Sequence, residues 1–250
     1  MELCDITETL VFSDPYFNAE RNHHTPQLDR IVARLREDID LKVEAHHLKA
    51  KFCNNGETML HGDFHTGSIM VSDNETKIID PEFALYGPMG FDVGMLLGNF
   101  WMAYFAQPGH ASVEGERDEY QNWILDVVEG VWNNFSAEFS QLWRKERTGI
   151  LYEKTLFEDQ GHTLASEQAL SHRLNAIWED TLGFAGVEII RRTLSLAHIA
   201  ENATIKDEEL RADCEARGLD LGRQLVVNRS RINSMASVHD LVQIIAKEAK

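Results

Sequence analysis

The composition and charge of this 250-residue chain exclude several classes of protein. Hydrophobic residues make up 43% of the sequence, enough for the core of a folded domain, and no run of 18 apolar residues predicts a transmembrane helix. The net charge of −17 would repel phosphate backbones and anionic lipid, so we predict no nucleic-acid partner and no membrane association. Three widely spaced cysteines without a CxxC motif argue against a disulfide framework and favour the reducing cytoplasm.

The first third of the chain is predicted to hold a helix and a small hairpin. Apolar residues at i, i+3, i+4 and i+7, behind a Thr-Pro start, predict a helix over 26–50. Residues 61–68 are polar and contain glycine, which is typical of a loop. Two β-prone runs follow at 69–71 and 77–79, separated by a polar four-residue turn, and these predict a hairpin.

After residue 90 the pattern is almost wholly helical. Helices are predicted at 91–106, 163–182, 186–204, 206–227 and 237–248, with a surface loop at 107–118. Between them, an apolar residue recurs every four positions: Trp123, Val127, Val131, Phe135, Phe139 and Trp143. This stripe is typical of core packing or of a surface that binds a partner. The predicted fold class is therefore mainly α with a small β-hairpin (α+β).

Three carboxylates lie around the predicted hairpin, with Asp63 in the loop before it and Asp80 and Glu82 just after it. A lone aspartate in a loop is usually a turn residue or a helix cap. Because a hairpin folds the chain back, however, we expect these three carboxylates to converge on one cleft. Phosphoryl transfer needs one carboxylate to orient or deprotonate the attacking hydroxyl and others to hold Mg²⁺ against the phosphates. The arrangement therefore predicts a phosphotransferase.

The residues around these carboxylates resemble a known family. The sequence His61-Gly62-Asp63 is similar to the catalytic loop of the kinase-like fold, in the branch that contains aminoglycoside phosphotransferases and choline kinases. Four stretches resemble the methylthioribose kinases in particular: 61–70, 80–83, 87–92 and 183–193. The resemblance implies that residues 1–250 form a single helical domain, the C-terminal lobe of a protein-kinase-like fold, with a catalytic loop and metal-binding hairpin at 61–82.

The resemblance also implies a reaction, the ATP-dependent phosphorylation of 5-methylthioribose at its C1 hydroxyl in methionine salvage. Asp63 would bind the substrate and act as the catalytic base that accepts the proton of that hydroxyl. Arg191 and Arg192 would bind the substrate and the transferring phosphoryl group, since guanidinium groups suit oxygen-rich targets. Adjacent helix residues point about 100° apart, so we expect at least one guanidinium in the cleft, with Arg191 the first choice.

The cofactors that the resemblance implies are ATP and Mg²⁺. Asp80, Pro81 and Glu82 stand where protein kinases have Asp-Phe-Gly, and they would contact ATP. Asp80 and Glu82 would also be the ligands of Mg²⁺. Asp92 resembles the aspartate that braces the catalytic loop, so a structural role is predicted for it, and His61 is expected to hold the loop by hydrogen bonds.

Two other functions compete with the kinase interpretation. His61, Asp63 and His65 form an HxDxH pattern, and spaced histidines with a carboxylate can bind a transition metal, which would indicate a metallohydrolase. Alternatively, the chain could be a non-enzymatic binding or dimerisation module whose aromatic stripe packs against a second copy in a homodimer.

The sequence before the catalytic loop does not contain the nucleotide-binding parts of a complete kinase. No glycine-rich phosphate loop and no strand lysine occur before residue 61, and the segment has a largely helical pattern. In kinases of this fold an N-terminal lobe supplies those parts. We therefore expect that this lobe is missing and that the chain is inactive by itself.

Overall fold

Helices dominate the computed structural model, which describes residues 2–146 and 153–248. Nine α-helices lie within these residues: α1 Glu2–Phe12, α2 Asp29–Glu37, α3 Ile39–Asn54, α4 Gly90–Ala106, α5 Asp118–Lys145, α6 Thr163–Leu194, α7 Ala200–Ala203, α8 Glu208–Asn228 and α9 Met235–Lys247. Four short strands accompany them: β1 Thr58–Leu60, β2 Ile69–Val71, β3 Thr76–Ile78 and β4 Leu85–Gly87. The predicted combination of a helical fold with a small antiparallel hairpin is confirmed.

Helices α4, α6 and α8 form the centre of the fold and carry large, fully buried side chains, among them Phe91, Trp101 and Phe184. The rings of Phe91 and Phe184 meet edge to face with their centroids 5.2 Å apart, a favourable aromatic geometry that joins α4 to α6. α4 coincides with the apolar helix predicted at 91–106 to within one residue. Within the described ranges, no helix is both long and apolar enough to cross a membrane.

The helix predicted over 26–50 is in fact two helices. Asp38 separates α2 from α3, because its backbone is extended (φ −73°, ψ 104°) and its side chain accepts a hydrogen bond from the Leu41 amide at 3.0 Å. This is the geometry of a helix N-cap, in which a carboxylate satisfies an amide of the first turn. The spacing of apolar residues carries no information about such a cap, so the break between α2 and α3 was not predicted.

The boundary predicted between helices 163–182 and 186–204 was also wrong, because α6 runs without a break for 32 residues. Gly183 and Gly186 lie inside it at points of close approach rather than at a helix end. A Cβ on Gly186 would lie only 2.5 Å from the carbonyl oxygen of Gly222 in α8. The two glycines therefore let neighbouring elements touch α6, and the helix continues until Leu194.

The aromatic stripe on α5 is not a single buried face. Trp143 is buried, Trp123 is half exposed, and the other four members are partly buried. The physical reason is that four-residue spacing advances about 40° beyond a full turn at each step, or about 200° over the five steps between the two tryptophans. Three further buried residues of this helix, Ile124, Leu125 and Val128, do not belong to the stripe. A homodimer through the stripe stays a prediction.

The predicted hairpin is present, but it is accompanied by a second pair of strands that was missed. In the hairpin, β2 and β3 pair in antiparallel register with Ile69 opposite Ile78. β1 pairs with β4, and Leu60 lies opposite Leu85. Each of these strands has only three residues, too few for alternation of apolar and polar side chains to be recognised. The second pair closes the base of the loop that carries Asp63.

Candidate active site

The candidate site is built on the loop that follows β1. Asp92, in the first turn of α4, holds this loop in place. The Asp92 carboxylate accepts hydrogen bonds from two loop amides, that of His61 at 2.6 Å and that of Gly62 at 3.1 Å. Burial raises the pKa of Asp92 above its ordinary value, although these two hydrogen bonds favour the charged form. The predicted bracing role of Asp92 is confirmed.

His61 joins the loop to the hairpin, as predicted. Its Nε2 lies 2.8 Å from the carbonyl oxygen of Ile79, and its Nδ1 accepts from the Asp63 amide at 3.4 Å. Because a carbonyl can only accept, His61 Nε2 is the donor in this contact. Ile79 also donates its amide to the Ser68 carbonyl oxygen at 3.0 Å. Ile79, which precedes Asp80, is therefore bonded to the Asp63 loop through both its carbonyl and its amide.

Gly62 brings the loop against the segment that follows the hairpin. It has a φ of +87°, a backbone conformation that strongly favours glycine. A Cβ at this position would also lie only 2.1 Å from the carbonyl oxygen of Phe83. The backbone next to Glu82 therefore lies directly against the residue that precedes Asp63.

Asp63 is contacted by both arginines at the end of α6. The Nη2 atom of Arg191 lies 3.2 Å from Asp63 Oδ1, and the Nη2 atom of Arg192 lies 3.1 Å from the same oxygen. Both arginines are buried, whereas the Asp63 side chain is 33% exposed. We expected at least one of the two guanidiniums beside Asp63, with Arg191 the first choice, and both reach its carboxylate.

Three residues of this site were not found from the sequence. Glu188, which is fully buried, accepts from both arginine Nε atoms, at 3.1 Å from Arg191 and 2.6 Å from Arg192. Asn99 of α4 donates to Glu188 at 3.2 Å, and Ala197 accepts from Nη1 of Arg192 at 3.1 Å through its carbonyl oxygen. The sequence does contain one signal for Glu188: it is the single carboxylate in an otherwise apolar run, one helical turn before the arginine pair.

His65 lies at the edge of the site and does not complete a metal centre. Its Nδ1 accepts from the Gly67 amide at 3.0 Å, and its Nε2 is 3.7 Å from Asp63 Oδ2. Burial, together with the charge of Arg192, lowers the pKa of His65. The nitrogens of His61 and one nitrogen of His65 are thus already used in holding the loop, and no group of three His, Cys, Asp or Glu residues suited to a metal occurs among the described residues. The metallohydrolase alternative is not supported.

Asp80, Pro81 and Glu82 are solvent-exposed after the hairpin. Asp80 has a φ of 65°, a left-handed conformation uncommon for residues other than glycine. The expected convergence of three carboxylates does not form a three-ligand group in the part of the chain that the structure describes. Mg²⁺ does not need one, because it keeps several waters and is held by one or two carboxylates together with substrate phosphates. Two exposed carboxylates on a fixed segment fit that donor set.

A small cavity of about 50 Å³ lies beside Asp63. Its lining combines the polar side chains of Asp63 and Arg191 with apolar side chains of α1 and α4 such as Val11, Phe91 and Met95. A space of this size has room for a few water molecules, and it lies where the Asp63 loop meets the apolar core.

The helical fold, the Asp63 loop and the exposed acidic segment are together typical of a phosphotransferase. Residues 1–129 match the phosphotransferase enzyme family, and because this is more than half of the chain, the protein belongs to that family.

Its relatives narrow the class. The chain is 42% identical over 238 residues to a methylthioribose kinase of Escherichia coli O45:K1, which covers 95% of this chain and 56% of the relative. It is 40% identical over 241 residues to methylthioribose kinase 1 of Oryza sativa subsp. japonica (95% and 55%), and 40% identical over 240 residues to that of a Geobacillus strain (96% and 55%). The resemblance to methylthioribose kinases is confirmed, and the chain spans about half the length of these curated relatives.

Proposed function

We propose that this chain carries the catalytic and sugar-binding part of a small-molecule kinase that phosphorylates 5-methylthioribose at its C1 hydroxyl at the expense of ATP. The observation that carries the proposal is the asymmetry of Asp63. Oδ1 accepts from two buried arginines, whereas within the described residues no hydrogen bond reaches Oδ2. The names of the relatives supply the substrate.

In this proposal each side chain has a separate task. Asp63 Oδ2 accepts the proton of the C1 hydroxyl as the C1 oxygen bonds to the γ-phosphorus of ATP and the bond to the ADP oxygen breaks. The fixed arginines hold Asp63 so that it does not rotate, and their remaining N–H groups face the oxygens of the sugar and of the transferring phosphoryl group. Because both guanidiniums are already ordered, little conformational entropy is lost when substrate binds.

Asp80, Pro81 and Glu82 would contact the nucleotide, with Asp80 and Glu82 as ligands of Mg²⁺. The metal supplies neutralisation of the charge that develops on the phosphates. Both carboxylates are exposed, so they can reach a large, hydrated ligand, while the contacts of Ile79 and Gly62 keep their backbone next to Asp63. Methionine salvage would then be the metabolic setting.

We further propose that the 250-residue polypeptide turns over very slowly without additional protein. In the described residues ahead of β1 there are helices and turns but no strand, so a strand lysine for the nucleotide phosphates is not among them. Incubation with Mg²⁺-ATP and 5-methylthioribose, followed by ³¹P NMR, tests this part. Turnover at an ordinary kinase rate, on the order of 1–100 s⁻¹, would contradict it.

The substrate itself is tested by titration calorimetry with the purified chain. We expect 5-methylthioribose to bind, ribose to bind at least about 10-fold more weakly because it lacks the methylthio group, and the 1-O-methyl glycoside of 5-methylthioribose to bind weakly because it cannot donate to Asp63. Asp63→Asn should weaken the binding of 5-methylthioribose, and Asp73→Asn, on the exposed hairpin turn, is the matched control. Equal binding of all three sugars, or of none, would refute the proposal.

A further inference from the structure

The feature of the site that none of the assigned roles accounts for is Glu188, a carboxylate with no exposed surface near the C-terminal end of α6. One of its oxygens, Oε1, accepts from Arg192 Nε at 2.6 Å and from Asn99 Nδ2 at 3.2 Å. The other, Oε2, accepts from Arg191 Nε at 3.1 Å. A buried carboxylate is costly unless it is paired and hydrogen-bonded, and here every partner belongs to the site or supports it.

The position of Glu188 on the helix explains how two adjacent arginines come to face one atom. With about 100° per residue, Arg191 lies about 60° to one side of Glu188 and Arg192 lies about 40° to the other. Glu188 is therefore between them in projection, at i−3 from one and i−4 from the other. Each guanidinium turns inward to bond the carboxylate through Nε, and this orientation directs both Nη2 atoms toward Asp63.

The charge of Glu188 is a second explanation for its place beside the two arginines. Arg191 and Arg192 bring two positive charges to a largely buried place, and Asp63 alone would neutralise only one of them. Burial would raise the pKa of Glu188, but the charges of Arg191 and Arg192 outweigh it and hold this pKa below its ordinary value. In formal charge, the two carboxylates Asp63 and Glu188 balance the two arginines.

We propose that Glu188 is the positioning residue of the site: it holds Arg191 and Arg192 as one rigid clamp on Oδ1 of Asp63 and so leaves Oδ2 to face the substrate hydroxyl. Asn99 fixes the carboxylate from α4. Glu188 does not touch the substrate, and its effect on catalysis is transmitted through the arginines. The consequence for 5-methylthioribose binding rests on the proposed function, whereas the geometry of the clamp does not.

The test compares Glu188→Gln with Asp180→Asn, since Asp180 is another buried carboxylate of α6 and is paired with Lys51 outside the site. The readout is the ¹⁵N–¹H NMR signal of each arginine Nε–H, assigned with Arg191→Lys and Arg192→Lys variants. In the unmodified protein both protons should exchange slowly with water. In Glu188→Gln they should exchange at least about 10-fold faster, because a charged, buried acceptor has become a neutral one.

Affinity for 5-methylthioribose is the second readout. We expect it to fall at least about 10-fold in Glu188→Gln and to stay within about twofold in Asp180→Asn, even if both variants unfold more easily. Should Glu188→Gln fail to fold, Asn99→Ala keeps the charge but removes one support of Oε1, and there the Arg192 Nε–H should exchange faster than that of Arg191. Unchanged arginine exchange in the folded variants would overturn the proposal. Failure of the unmodified protein to bind the sugar would instead refute the proposed function and leave the NMR result to decide on the clamp.

Discussion

Nη2 of Arg192 lies 3.1 Å from Oδ1 of Asp63, although the two residues are 129 positions apart in the chain. No local pattern brings them together. Asp63 is on a loop braced by the first turn of α4, and Arg192 is in the last turn of α6, so the packing of these two helices sets the distance. The site is therefore sensitive to whatever fixes the end of α6.

Replacing either arginine by lysine should weaken the binding of 5-methylthioribose by about 10-fold or more. Each guanidinium uses Nε for Glu188 and Nη2 for Asp63 at the same time. Lysine has one ammonium group and cannot bridge two carboxylates in that geometry. Titration calorimetry of Arg191→Lys and Arg192→Lys measures the effect.

The control for this pair is Arg144→Lys. Arg144 also makes a two-pronged contact, with Glu167 at 2.9 and 2.7 Å, but it is on the exposed surface of α5. We expect no change of sugar affinity there. If the lysine variants of Arg191 and Arg192 bound as tightly as Arg144→Lys, the two-carboxylate contact would not contribute to binding.

The sequence was sufficient to predict what is local and what recurs in related chains. The hairpin, the helix α4 and the bracing contact of Asp92 all follow from short patterns or from the resemblance of the loop. What could not be predicted depends on distant contacts. The partner of Gly186 is in α8, and the direction of Arg192 depends on Glu188, whose ionised state is stable only because the arginines are folded against it.

The same limit applies to the acidic residues. Their order in the sequence correctly indicated a loop, a hairpin and a second acidic segment. It did not give the direction of the Asp80 and Glu82 side chains, which are solvent-exposed. Proximity of the backbone alone therefore does not predict a three-carboxylate group, and none occurs in the part of the chain that the structure describes.

Ala197 should respond to substitution through its backbone. It has a φ of 63°, which costs a residue with a Cβ roughly 1–2 kcal/mol, and in this conformation its carbonyl oxygen accepts from Arg192. Ala197→Gly removes the strain but adds freedom to the unfolded chain, so the free energy of unfolding should change by less than about 1 kcal/mol. Ala197→Val should lower it by more than about 1 kcal/mol and weaken sugar binding. Urea denaturation checks both, and a valine variant as stable as the glycine variant would show that the conformation is not strained.

The stability of the fold should decrease as the pH falls below about 6.5, the ordinary pKa of histidine. Burial, followed by the neighbouring His23, lowers the pKa of His198, whose ring centroid is 5.7 Å from that of His23. Between the folded and unfolded pKa values the unfolded chain binds more protons, so acidification favours unfolding, and the stabilisation is complete only above about pH 6.5. His65 and His239 shift in the same direction.

His198→Gln should therefore flatten the dependence of the urea midpoint on pH between about 5.5 and 7. His46→Gln, on the exposed face of α3, is the control and should leave that dependence unchanged. An equal slope in the His198 variant and the unmodified protein would show that this ring does not contribute to the linkage.

Two glycine-to-alanine substitutions within helices should change stability in opposite directions. In α5, a Cβ on Gly130 would meet no atom within 4 Å, so Gly130→Ala should raise the free energy of unfolding by roughly 0.5–1 kcal/mol through better helix propensity. In α6, a Cβ on Gly186 would lie 2.5 Å from the Gly222 carbonyl oxygen and 2.7 Å from a methyl group of Val226. Gly186→Ala must therefore push α8 away or move α6, and overpacking of this kind costs about 1–3 kcal/mol.

Because Glu188 and both arginines follow Gly186 on the same helix, displacement of α6 should also disturb the clamp on Asp63. We therefore expect Gly186→Ala, but not Gly130→Ala, to lower sugar affinity at a temperature where both variants are folded. Urea denaturation and calorimetry on the same preparations separate the two effects. Gly186→Ala could instead be less stable and still bind the sugar with unchanged affinity. That result would show that the end of α6 is not held by its approach to α8. Contacts beyond Gly186, such as that of Arg192 with Ala197, would then hold it.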